Sequence, residues 1–66
     1  MKWNDIESVA MSLEDHYPRH DIFGTRFTDL RLMILGLPDF DDDKDGCNEK
    51  ILESIQLAWS EERENK

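Results

Sequence analysis

Ile6, Val9, Ala10, Leu13 and Tyr17 recur three and four residues apart, the spacing of one helical face, and predict an amphipathic helix from Asp5 to about Tyr17. Asn4, followed three residues later by Glu7, has the form of a capping pair that closes the N-terminus of that helix. Pro18 ends it, because the residue before a proline is driven out of the helical region. The outward face would carry Asp5, Glu7, Glu14 and Asp15. Residues 18 to 27 read as a connector with a short extended stretch around Thr25 to Phe27, too little for an independent sheet. A second helix is expected from Thr28 as N-cap, with Asp29 in the first turn at the positive end of the dipole. Leu30, Met33, Ile34 and Leu37 form one face, Leu32 and Leu35 widen it, and Gly36 and Pro38 stop it. Being apolar on most sides, this helix is expected to be the central one. A third helix opens at Asn48, a strong N-cap, and carries Ile51, Leu52, Ile55, Ala58 and Trp59 at helical spacing. Beyond Trp59 the polar residues 60–66 are expected to fray, those from Glu61 onward forming a loose tail. The pattern as a whole predicts a mainly α, compact three-helix domain over residues 1–66, with a loop between helices two and three.

Size limits what such a domain does. A chain of 66 residues buries only about 60% of the surface its unfolded form exposes, and it has little room for a walled catalytic cleft beside its core. That favours a non-enzyme. Cys47 is the only cysteine, so no internal disulfide staples the fold, and a reducing compartment such as the cytoplasm is expected. No segment approaches the roughly 18 apolar residues of a membrane span, and Met1 to Asp5 shows no signal-peptide run.

Charge changes the picture most. Sixteen acids oppose eight bases, for a net charge of −8. Asp39, Asp41, Asp42, Asp43 and Asp45 place five carboxylates in seven residues. Such a run repels itself and is tolerated where water, a cation or a basic partner screens it. It disfavours nucleic acid, whose phosphates it would repel, and Arg26 and Arg31 are too few to supply a basic stripe. Counted from Asp41, carboxylates fall at positions one, three and five with Gly46 at six, as in a calcium-binding loop; position twelve, however, is Leu52 rather than a glutamate, and Glu53 comes one residue late. Two readings of the loop stay open: a solvated acidic turn, and a weak divalent-cation site of oxygen donors, including for ferrous iron. His16 and His20 lie four apart but are separated by Pro18, which favours exposed connector histidines over a metal pair. Cys47 is flanked by carboxylates that disfavour its thiolate, so it reads as an ordinary small residue in a turn. Trp3 and Trp59 read as core anchors.

Read together, Lys2-Trp3-Asn4-Asp5, Arg26-Phe27-Thr28-Asp29-Leu30, Asp39-Phe40-Asp41-Asp42-Asp43 and Asn48-Glu49-Lys50-Ile51-Leu52-Glu53, with Trp59, closely resemble the IscX family of small acidic accessory proteins of bacterial iron–sulfur cluster assembly. The resemblance runs from Lys2 to Trp59. It departs from the usual pattern at Lys44, where a proline is frequent, and at Cys47, where a small residue such as serine is common. It implies a helical fold akin to a modified winged helix and no enzymatic activity. The family's partner is the cysteine desulfurase, on a docking surface shared with the frataxin homologue, and its members bind ferrous iron weakly through exposed carboxylates. Carried onto this chain, it implies Asp39, Asp41, Asp42, Asp43 and Glu49 as candidate metal ligands. The partner-binding set adds Asp5, Asp29, Asp45 and Glu53. A monomer in the cytoplasm is expected, with no organic cofactor. The alternative is a stand-alone divalent-cation protein for iron or calcium.

Overall fold

The computed structural model describes residues 1–65; Lys66, the last residue of the expected tail, lies outside the described residues. Three helices follow in order: α1 (Ile6–His16), α2 (Phe27–Leu35) and α3 (Glu49–Glu64). Among the described residues there is no strand, and the stretch at Thr25 to Phe27 forms the entry to α2 instead.

The apolar face predicted for α1 is the buried one, with Val9, Ala10 and Leu13 fully buried. Its start differs from the expected capping pair. Asp5 holds the N-cap position without capping the helix through its side chain. The Asp5 carboxylate instead accepts the backbone N–H of Lys2 at 2.8 Å, closing a turn ahead of the helix. Tyr17 leaves the helical region at the C-terminal end, as the following Pro18 requires.

Helix α2 begins one residue before the expected cap. Arg26 is extended, with ψ of 150°, so Thr28 lies inside the first turn and caps nothing. The earlier start lets Phe27 pack against the core. Leu30 and Ile34 are fully buried, but Leu32 is 62% exposed, so α2 is not the central helix. The most extensive packing joins α1 to α3.

Helix α3 starts where its sequence indicates. The Asn48 side chain accepts the Ile51 N–H at 2.9 Å, satisfying a backbone donor that the first turn leaves open. Leu52, Ile55 and Trp59 point into the core, and Ile51 and Ala58 pack at its edge. The segment expected to fray after Trp59 is helical through Glu64. Arg63 is the reason. Its Nε donates to the Glu14 carboxylate at 3.0 Å, its Nη2 to the Tyr17 carbonyl at 2.9 Å and its Nη1 to the His20 carbonyl at 2.5 Å.

Glu14 is the main correction to the predicted face of α1. It is only 3% exposed. One carboxylate oxygen accepts both the Trp59 indole N–H and the Arg63 Nε–H, each at 3.0 Å. Burial of a carboxylate is tolerated when it is paired and hydrogen-bonded in this way. A second polar tie holds the connector, where Gln56 donates to the Ile22 carbonyl at 2.9 Å. The 39–45 loop and the N-terminal segment lie side by side, joined by hydrogen bonds.

Candidate functional site

The acidic loop is built against the first five residues. Trp3 is buried, at 2% exposure, and serves both as core residue and as the peg of the loop. Its indole N–H donates to the Asp43 carbonyl at 2.6 Å, and its backbone N–H donates to the Asp42 carboxylate at 3.0 Å. Its ring meets Phe40 edge-on with centroids 4.7 Å apart. The Asp41 N–H donates to the Met1 carbonyl at 2.9 Å. The Met1 amino group donates to the Asp39 carbonyl at 2.6 Å. Gly46 lies where the loop folds back, close against Trp3. A Cβ there would come to 3.0 Å from the Trp3 ring and 3.2 Å from the Asp43 carbonyl, tighter than ordinary contact.

Within this frame the five aspartates are not equivalent. Asp42 spends both oxygens on backbone donors, one on Trp3 N–H and the other on Asp43 N–H at 2.7 Å. The Trp3 bond, followed by the Asp43 bond, holds its carboxyl below the ordinary value of 3.8. Asp43 turns one oxygen to the Asp45 N–H at 3.0 Å. Asp41 has Lys2 for a neighbour: the ammonium binds the Asp41 carbonyl and stands 3.9 Å from its carboxylate. That ion pair is long and open to solvent, with the Asp41 carboxylate almost fully exposed, so it cancels little of the loop's charge. Asp39, Asp41, Asp42, Asp43 and Asp45 are all exposed.

The other candidate residues fall into groups. Asp5 joins the loop through its bond to Lys2. Asp15 of α1, outside the expected partner set, shares a hollow with Asp39, bounded by Met1, Met11, Ser12 and His16. This joins the outer face of α1 to the loop. Glu49 lies elsewhere, in a shallow groove between α2 and α3 with Arg31 and Cys47. Asp29 on α2 and Glu53 on α3 are exposed. Glu14, expected on the negative surface, is withdrawn into the core. His16 and His20 do not form a pair. The His16 ring Nδ1–H donates to the Ser12 carbonyl at 2.9 Å, and the His20 ring stacks on Trp59 at 6.0 Å.

Among the described residues, no three His, Cys, Asp or Glu side chains are grouped so as to hold a metal ion. The salt bridges there are Lys2–Asp41 and Arg63–Glu14, so Arg26, Arg31 and Lys50 leave the loop's charge uncancelled. What this surface offers is carboxylate oxygen, hard and anionic, on a loop held by hydrogen bonds to the N-terminal segment. No described helix is long and apolar enough to cross a membrane.

Reasoning from sequence did not reach the hydrogen bonds of Trp3 or the Glu14–Trp59–Arg63 cluster. For Glu14 a signal was present. It stands four residues after Ala10 and three before Tyr17, on the same helical stripe as the buried positions. Comparison with known proteins agrees with the motifs of the loop and of α3. The profile of a family described as iron-sulphur cluster assembly matches residues 1–64. The uncharacterized protein PA3808 of Pseudomonas aeruginosa is 42% identical over 64 residues, covering 97% of each chain. The chain belongs to the IscX family of iron–sulfur cluster assembly proteins.

Proposed function

We propose that the protein is a non-catalytic accessory of iron–sulfur cluster assembly, a cytoplasmic monomer that docks through its acidic loop on a basic patch of the cysteine desulfurase. The observation that carries this reading is the state of the loop. Among the described residues the one salt bridge to Asp5 and the five loop aspartates is the long Lys2–Asp41 pair, and the loop is fastened mainly by hydrogen bonds to its backbone rather than by salt bridges that would consume its charge. An anionic surface of this kind accelerates encounter with a basic partner and sets its register. The frataxin homologue, if it uses the same basic patch, competes for it.

Ferrous iron enters as cargo. Oxygen donors suit it at low affinity, and Asp39, Asp41, Asp43 and Asp45 are the loop carboxylates least committed to the fold. Their dispersed placement supports weak binding completed by water, and it makes a stand-alone carrier of iron or calcium the poorer reading. Iron and desulfurase neutralise the same charge, so each is expected to change the affinity of the other by the same factor.

The test leaves Asp42 in place, because its carboxylate holds the Trp3 N–H. Asp39→Asn, Asp41→Asn and Asp45→Asn together are expected to weaken desulfurase binding about tenfold or more by calorimetry, with unchanged helicity by circular dichroism. Undiminished affinity would remove the loop from the interface.

A further inference from the structure

The hollow between α1 and the acidic loop has a mixed lining that a purely electrostatic surface does not need. It is an open depression of about 350 Å³, at the lower end of the range for ligand pockets, with room for one long side chain rather than a cofactor. Met1 and Met11 supply apolar surface, and Asp15 and Asp39 supply carboxylates. Met11 is 53% exposed, off the stripe on which Val9, Ala10 and Leu13 are fully buried, and it lines the hollow instead. Neither Asp15 nor Asp39 forms a salt bridge among the described residues. The Met1 amine donates to the Asp39 carbonyl and forms no salt bridge with its carboxylate. The ring Nδ1–H of His16 is taken by the Ser12 carbonyl. Flexible thioethers beside two carboxylates match a side chain with an aliphatic stem and a cationic head.

We propose that this hollow receives an arginine or lysine side chain of the basic protein on which the chain docks. The proposal rests on the docking reading above and adds to it a second, short-range contact, where α1 meets the start of the loop at Asp39. The two contributions separate cleanly. Charge on the loop acts over a Debye length and is weakened by salt, whereas the methionine contact is apolar and short-ranged.

Both test substitutions lie on the exposed surface. Met11→Ala changes no charge and is expected to weaken desulfurase binding about three- to fivefold with the salt dependence unaltered. Asp15→Asn is expected to weaken it by a similar factor and to make the salt dependence shallower. In parallel, Nα-acetyl-arginine amide titrated into the isotope-labelled chain is expected to shift the amides of Met11, Ser12, Asp15 and Asp39, and Asp15→Asn to reduce those shifts. Should the desulfurase bind both variants like the parent while a variant carrying only Asp41→Asn and Asp45→Asn, which leaves the hollow's own residues intact, fails, docking stands and the occupied hollow is overturned. Should the desulfurase not bind at all while the arginine amide still fills the hollow in an Asp15-dependent way, the choice of partner falls and the hollow's preference for a cationic side chain stands. Silence of these amides with unimpaired binding of Met11→Ala sinks the proposal outright.

Discussion

Glu14 shows how a single side chain decides whether a helix end holds. Its carboxylate is buried and accepts from both Trp59 and Arg63, and Arg63 in turn fastens Tyr17 and His20 of the connector. Removing the acceptor strands an indole N–H and a partly buried guanidinium. Glu14→Ala is therefore expected to cost about 3 kcal/mol in urea unfolding, and Glu14→Gln less, since the amide oxygen still serves Trp59. A loss of under about 0.5 kcal/mol in Glu14→Ala would show that the cluster contributes little. Asp42 works in the opposite setting, fully exposed yet held by backbone donors. Because folding lowers its pKa, its contribution is complete above the ordinary value of 3.8 and fades as pH falls through the lower folded value. Acid is thus expected to loosen the Trp3 contact, read as a change in tryptophan emission below about pH 4. Asp42→Asn should flatten that acid limb; an identical limb in the variant would place the titration elsewhere. Neither role was legible from sequence. The partners stand 39 and 45 residues away, and such pairings leave no local period to read.

At the scale of elements, existence and type were legible and the ends were not. All three helices follow from three-and-four spacing, because burial of one stripe enforces it. Ends depend on one hydrogen bond each, and more than one residue nearby can make it. Asn48 does cap α3, whereas Asp5 and Arg26 hold the N-cap positions of α1 and α2 without side-chain caps. Asn48→Ala is accordingly expected to cost about 1 kcal/mol in thermal or urea unfolding. Asn4→Ala and Thr28→Ala are expected to stay within about 0.5 kcal/mol, as exposed substitutions that remove no cap. A full capping penalty at Thr28 would mean that α2 starts later in solution. The apolar breadth of α2 misdirected the reading of its role, because breadth records composition and not which neighbours arrive. With Leu32 left outside, the most extensive packing joins α1 to α3, and α2 adds Leu30 and Ile34 to the core. The last turns of α3 were read as a tail because their charges lack an apolar stripe, yet Arg63 gives them a polar anchor instead.

At the scale of the whole molecule, net charge acts with opposite signs on folding and on docking. The chain carries −8 within extents of 30 × 21 × 16 Å. At about 0.01 M salt the Debye length is about 30 Å, so every carboxylate feels every other across the fold. At about 0.1 M it shrinks to about 10 Å, shorter than each dimension, and the mutual repulsion is largely confined to neighbours such as the loop aspartates. Self-repulsion of this kind destabilises the compact state, so added salt relieves it. The same screening removes the attraction that draws the acidic face to a basic partner. The isolated protein is therefore expected to unfold at higher urea as sodium chloride rises from about 0.01 to 0.3 M, while its affinity for the desulfurase falls over the same range. The Asp39→Asn, Asp41→Asn, Asp45→Asn variant separates the two, since it removes three of the charges responsible for both. It should start more stable at low salt, gain less from added salt, and show a shallower loss of affinity. If stability and affinity instead moved in the same direction with salt, the loop's charge would be serving the fold, and the docking surface would have to be sought on another face.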